Sequence, residues 1–401
     1  MSRVLVLHHA PYVGGGSAGL RDLLFMLRSH HEAIAVLPPG PKDLQTLLRS
    51  DGFRVISAPR SFPTLNAYSG GPWVGSRGYW QGLTHVSGYG RWTSFIEELR
   101  PDVVIVNSSV LAPMGPAIRS AGARSICVVR ETFSRSPADL GSKALSLMLA
   151  NWWDANVFIS AYDRDNARRT APVTAVVRDS VRPGLLTQMP RSRAERELGV
   201  DSGCFNVLFT GGDTWFKGLD VLLAAAQMAR LPDLRILVAG YFSDGPAGMR
   251  RVASHVTAPE NAAFRRRLGR LMADPEVVGA MKILGARTDM SACYSAADTV
   301  VFPATVAHQA RPIIEAAHYA LPVIRTDFDQ YLEHVEDPLT FPVGEASRLA
   351  ELLVQLRGDP ALVRSLGAGN RVRIQEANDF DAQARSLHGV IGSLLPRPIT
   401  Q

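Results

Sequence analysis

Cysteine is scarce in this chain: Cys127, Cys204 and Cys293 are odd in number and far apart. That excludes a disulfide scaffold, offers no metal-ligand spacing, and points to a reducing, cytoplasmic setting. Long apolar runs are missing too. None approaches the ~20 residues that a membrane-spanning helix needs. The opening, MSRVLVLHHAPYVGGG, has too brief an apolar stretch for a secretory leader and no small-residue cleavage pattern. No nucleic-acid-binding module stands out, and no nucleic-acid partner is expected. What is present is ordinary globular material, 46% hydrophobic and 20% charged. The net charge of +6 is spread along the chain. It suits anionic small ligands, or peripheral contact with an anionic membrane, at least as well as nucleic acid.

With 401 residues, two domains are expected. The first half alternates strand and helix. Short apolar runs at Val4–Leu7, Ala33–Leu37, Phe53–Ile56, 102–107, Ser125–Val129, Ala155–Ile159 and Thr174–Val177 read as buried strands. After the first comes Gly14-Gly15-Gly16-Ser17, followed by leucines at helical spacing. Such glycines let backbone amides approach an anion at a helix N-terminus. The run is not G-x-G-x-x-G, so a flexible turn is an equal alternative. Between Arg60 and Arg91 the alternation breaks into a glycine-rich segment carrying Tyr68, Trp73, Tyr79, Trp80 and Tyr89. These aromatics read either as a grip for an acceptor or membrane surface, or as a local packed cluster. Arg130-Glu131 follow a strand's carboxyl end, where open α/β sheets place their clefts; a surface ion pair is the alternative.

A polar stretch with Pro183, Pro190 and a basic run, Arg191, Arg193 and Arg196, reads as a linker. The expected division is a domain over 1–183, a linker over 184–204, a second domain over 205–375 and a helical tail over 376–401. Strand–helix alternation restarts at Asn206. Gly211-Gly212 open a loop that runs through Lys217-Gly218 into a helix. Further on, the spacing predicts a strand over Thr299–Phe302, a loop to Arg311, a helix opened by Pro312, and a strand from Pro322. Glu315 is placed in that helix's first turn, either because the dipole favours a carboxylate there or because it accepts ribose hydroxyls.

The residues Phe209-Thr210-Gly211-Gly212 with Lys217-Gly218-Leu219-Asp220, Ile283-Leu284-Gly285-Ala286, Tyr294 to Asp298, Pro303-Ala304 and Pro312 to Ala317 occur in one order and spacing. In that pattern residues 205–370 resemble the C-terminal half of retaining glycosyltransferases of family four. The resemblance implies an α/β fold of two Rossmann-like domains facing a cleft, the GT-B architecture. It also implies transfer from a nucleotide-diphosphate sugar to a glycan, lipid-linked or small-molecule acceptor, with neither metal nor cofactor. Lys217 corresponds to the lysine that meets the donor diphosphate, and Glu315 to the second of two glutamates, the one on the ribose. Backbone near Ile283 and Leu284 would hold the base, and Gly15, Gly16, Gly211 and Gly212 would line the donor.

This chain departs from the family at several positions. The first glutamate is replaced by Ala307, an arginine of the glycine-rich loop by Gly212, and a phosphate-loop glycine by Ala310. No histidine follows Val129, where Arg130 and Glu131 stand instead. His308 and Arg311 flank the phosphate loop. Arg311, a permanent cation with a bidentate fork, is expected to supply the charge missing at Gly212, alongside Lys217 and with Glu131 as a further catalytic candidate. The alternative for Arg311 is an exposed helix-cap residue, and a nucleotide-sugar-binding protein without transfer activity is the rival function.

Overall fold

The structure, a computed structural model, describes residues 1–67, 88–133, 139–240, 242, 259–335 and 338–396. The chain divides into two compact units, one running to Ser180 and resuming at Asn378, the other Val181–Ala377.

Among the described residues, the first unit is built on seven parallel strands. These are β1 (Ser2–Leu7), β2 (His31–Leu37), β3 (Arg54–Ser57), β4 (Val103–Val106), β5 (Arg124–Val129), β6 (Ala155–Phe158) and β7 (Val173–Val176). Their order is β3-β2-β1-β4-β5-β6-β7. The chain therefore reverses direction across the sheet between β1 and β4, the place where such sheets receive ligands. The strands read as continuous apolar runs because both faces are covered. Leu5 and Leu7 pack on one side with Val104 and Val106, while Val4 and Val6 pack on the other with Val103 and Ile105.

The second unit repeats this plan. Its six strands are β8 (Phe205–Thr210), β9 (Leu234–Ala239), β10 (Met281–Gly285), β11 (Thr299–Phe302), β12 (Val323–Thr326) and β13 (Thr340–Phe341). The order is β10-β9-β8-β11-β12-β13, with the reversal between β8 and β11.

Two expectations about the chain's division are corrected. The stretch 184–204 is not a solvated linker. It contains the helix Arg191–Leu198, whose Ala194 and Leu198 are buried with Cys293 and Tyr294 of the second unit. Its basic look misleads because Arg191 forks onto both oxygens of Asp298 (2.5 and 2.9 Å) and also reaches Glu195 (2.7 Å). The C-terminal helix Phe380–Leu394 is no detached tail either. It buries Leu387, Val390 and Ile391 in the core layer of Val4 and Val6. Around it, Gln383 Oε1 accepts from the Arg178 amide (2.8 Å) and Asn378 Nδ2 donates to the Asp179 carbonyl (2.5 Å). Among the described residues, no helix is long and apolar enough to cross a membrane.

Candidate functional site

In the second unit the sequence-selected residues gather at the carboxyl ends of β8 to β11. Glycines make this possible by letting backbones meet. Gly218 has φ +77°, and a β-carbon there would lie inside the Pro303 carbonyl. Gly240 has φ +139°, and a β-carbon there would strike the Gly212 amide nitrogen. At Gly211 an added β-carbon would sit 2.7 Å from Lys217 Cβ. The loops after β8, β9 and β11 are thus packed backbone to backbone. The Thr305 amide donates to Phe216 O (3.0 Å) and the Gly240 amide to Gly285 O (2.9 Å). Gly212 N–H, a candidate donor to phosphate, instead reaches Ala239 O (3.3 Å) and helps to join these loops. Ile283 and Leu284 are half-buried on β10, at the same end.

Lys217 closes a short 3₁₀ turn, Trp215–Lys217, just ahead of the helix Leu219–Ala229. Its Nζ lies 2.6 Å from His308 Nε2 and 5.5 and 5.3 Å from the ring centres of Phe216 and Phe302. Burial lowers its pKa to about 8. His308 Nδ1 lies 2.7 Å from Val306 O. A carbonyl can only accept, so Nδ1 carries the proton and Nε2 accepts from Lys217. Burial, reinforced by the ammonium, holds His308 well below the usual imidazole range, so the ring is neutral.

Glu315 lies in the second turn of the helix Arg311–His318, a correction to its expected place in the first. The helix begins at Arg311, with Pro312 second, so the fifth residue is beyond the first turn's free amides. Two donors hold its carboxylate instead: Arg311 Nε to Oε1 (2.7 Å) and Tyr294 Oη to Oε2 (2.8 Å). Tyr294 is buried and stacked on Tyr319, and burial, with Glu315 beside it, pushes its hydroxyl well up, so it remains a donor. Arg311, expected to face a phosphate as the substitute cation, folds back one helical turn onto Glu315. The carboxylate still has lone pairs for hydroxyl donors, since its two oxygens offer about four acceptor positions.

The first unit has its own cluster at the carboxyl ends of β1, β4 and β5. Gly14 caps the helix Gly15–Leu27 through reciprocal bonds with Ser17 Oγ (2.8 and 2.7 Å). Gly15 and Gly16 are exposed, and a β-carbon on Gly15 would meet nothing. Beneath them His8 Nδ1 faces Asn107 Nδ2 (3.2 Å), and the same amide reaches Gly16 O (3.1 Å). Burial, with His9 and Arg130 nearby, keeps His8 neutral.

Glu131 is neither a free carboxylate nor an ion pair with Arg130. Its oxygens accept from the Ser108 hydroxyl, the Ser109 hydroxyl (2.5 Å), the Ser109 amide (2.9 Å) and the Arg130 amide (3.1 Å). It anchors the start of the 3₁₀ turn Ser109–Met114. Arg130's guanidinium turns to Asn107 Oδ1 (2.9 Å) and Asp179 Oδ1 (2.6 Å). Of the aromatic segment, Tyr89 packs on the core and donates to Pro113 O (3.0 Å). Tyr68, Trp73, Tyr79 and Trp80 lie outside the described residues. Asn107 and Asp179 carry polar roles that no motif announced, and Tyr294, though part of a quoted motif, was given no role there.

The chain is similar to known proteins in part of its sequence and in its fold. Residues 204–359 match the family model described as Glycosyl transferases group 1. A D-inositol 3-phosphate glycosyltransferase of Pseudarthrobacter chlorophenolicus is 28% identical over 227 residues, 52% of this chain and 50% of that protein. The chain thus spans about half the length of this curated relative. Among solved structures, HepE of Anabaena in complex with UDP and glucose superposes with a TM-score of 0.76 at 18% identity, covering 98% of this chain and 100% of that one. Sucrose-phosphate synthase of Thermosynechococcus elongatus gives 0.74 at 18% identity, over 98% and 99%. Residues 204–359 are thus similar to the glycosyl transferases group 1 family, and the chain shares the two-unit α/β fold of HepE and sucrose-phosphate synthase.

Proposed function

We propose that this chain is a retaining, metal-independent glycosyltransferase. The second unit takes a nucleotide-diphosphate sugar, and the first takes the acceptor, a glycan, lipid-linked or small-molecule hydroxyl. The carrying observation is the segment after β11: its loop brings His308 to Lys217, and the helix that follows carries Glu315, held by Arg311 and Tyr294, while Gly218 and Gly240 let the neighbouring loops pack backbone to backbone. In the reaction the bond from the anomeric carbon to the diphosphate oxygen breaks, and the diphosphate keeps the electron pair. The acceptor oxygen bonds to the same face of that carbon, its O–H bond breaks, and the proton passes to the leaving diphosphate oxygen. Lys217 meets the charge that grows on the leaving group, where a placed cation is worth most. Glu315, held by Arg311 and Tyr294, accepts the ribose hydroxyls.

The side chain of Ala307 offers the donor sugar no hydrogen-bond acceptor. A site that bonds a hydroxyl rejects sugars lacking it, because its own polar group is left unpaired. Without that acceptor the rejection is lifted, so the donor is one with fewer or rearranged hydroxyls, such as a deoxysugar.

The test is product analysis by mass spectrometry over a panel of nucleotide sugars and acceptors, with NMR of the new anomeric centre. Glycoside with the donor's own anomeric configuration is expected, and Lys217→Ala should lower UDP affinity about 10–100-fold with an unchanged circular dichroism spectrum. An inverted product would remove the retaining mechanism. Binding without glycoside would favour the second reading, a nucleotide-sugar-binding protein, which the full occupation of Glu131 by its own unit supports.

A further inference from the structure

Lys217 and His308 are 91 residues apart in sequence, yet their side-chain nitrogens make a direct contact. Three features show how the contact is built. The His308 ring is fixed at its far side by the Nδ1 proton on Val306 O (2.7 Å). It packs edge-on against Phe216 and tilted against Phe302, with ring centres 5.2 Å apart in both cases. Those same two rings lie within 6 Å of the ammonium, a cation–π distance. The loop that carries His308 is itself tied to the Lys217 turn by the Thr305–Phe216 backbone bond.

From this geometry we propose that His308 is a positioning residue: its neutral imidazole accepts one N–H of Lys217 and aims the other two at the donor diphosphate. The inference rests on the donor-binding reading given above. A free lysine side chain must lose most of its rotamer freedom on ordering. Here His308 and the two phenyl rings have ordered it before the ligand arrives. An uncharged acceptor suits this task better than a carboxylate. It directs the ammonium without neutralising it, and it brings no negative charge beside a diphosphate. His308 therefore acts through Lys217 rather than on the sugar, and its imidazole is already committed when the donor binds.

The chain has only four lysines, Lys42, Lys143, Lys217 and Lys282, so each can be followed separately by NMR of protein labelled at lysine Cε. Lys217→Arg identifies the signal. The groups bearing on Lys217 are His308, Phe216 and Phe302, and its midpoint is expected at about 8. His308→Leu keeps water out but removes the acceptor, which should move the midpoint down by about one pH unit. His308→Gln restores an acceptor and should return it to within about 0.3 units. In calorimetry, UDP affinity should fall about tenfold in His308→Leu and recover in His308→Gln, while uridine affinity stays unchanged. An unmoved Lys217 midpoint in His308→Leu would overturn the proposal, even if UDP affinity fell, because His308 would then act on the ligand directly. Equal loss in the Leu and Gln variants would overturn it as well. Failure of the unmodified protein to bind UDP would count against the donor reading, and the NMR titration would still decide the pairing.

Discussion

The two units share one topology and use it differently. Each has a glycine-containing loop after the first strand on one side of its reversal, β1 in the first unit and β8 in the second. In the second unit the glycines are required by the fold: at Gly218 and Gly240 a side chain would collide with neighbouring backbone. In the first unit Gly15 has open space around it, so its own unit does not require it to be bare. The carboxylates differ in the same way. Glu131 is consumed by the serines and amides of its own unit, whereas Glu315 is held by two side chains and keeps acceptor capacity. A loop closed by backbone contact presents one fixed surface, which on the proposed reading suits the donor diphosphate; an open loop constrains its ligand less, which on the same reading suits the acceptor.

The sharpest way to break this comparison is at the glycines. Gly218→Ala should cost about 3 kcal/mol or more, through the collision with Pro303 and the left-handed backbone. Gly15→Ala should fall within about 0.5 kcal/mol of the unmodified chain. Urea denaturation measures both, and equal losses would erase the distinction between the loops.

The carboxylates sharpen it next. Glu315→Gln should weaken UDP binding by about 1–3 kcal/mol, the scale of hydrogen bonds to charged groups. Glu131→Gln should leave UDP affinity alone and instead lower the melting temperature, because it removes charge-assisted bonds to Ser108 and Ser109. Calorimetry paired with thermal melts separates the outcomes. Loss of UDP affinity in Glu131→Gln would instead place that residue at the donor site.

The smallest effect concerns pH and belongs to the first unit alone. His31 and His388 meet at 3.2 Å, with the His30 ring centre 4.3 Å from that of His388. Burial and the neighbouring imidazoles lower both His31 and His388; the N-terminal amine lowers His31 further, and Asp102 opposes it. The folded values lie below the unfolded one, near 6.5, so the unfolded chain binds more protons on acidification. This contribution to stability is intact above about pH 6.5 and is lost as pH falls through the folded values. Partial exposure screens it, so His388→Gln should reduce the acid-side fall in melting temperature by only about 1–2 °C. Parallel pH curves for the two proteins would show that the cluster contributes nothing.

Much of this was legible in the sequence. Buried parallel strands appear as apolar runs such as Val103–Val106, and every expected strand has a counterpart in the sheets. Lys217 was singled out because the run from Phe209 to Asp220 resembles the donor half of family-four glycosyltransferases. The pairings were not. His308 finds Lys217 across 91 residues, and Glu131 finds Ser108 and Ser109 on the next strand's loop, where only the sheet order brings them together. The basic run at Arg191 looked solvated because its counter-charge, Asp298, lies 107 residues on.

The return of the helix Phe380–Leu394 to the first unit bears on how the protein is made. That helix leaves the ribosome after the whole of the second unit, yet it fills the layer beside Val4, Val6 and Leu24. Domains usually finish in the order of synthesis. Here the earlier unit must wait, with part of its core uncovered, while the later one is translated and closes.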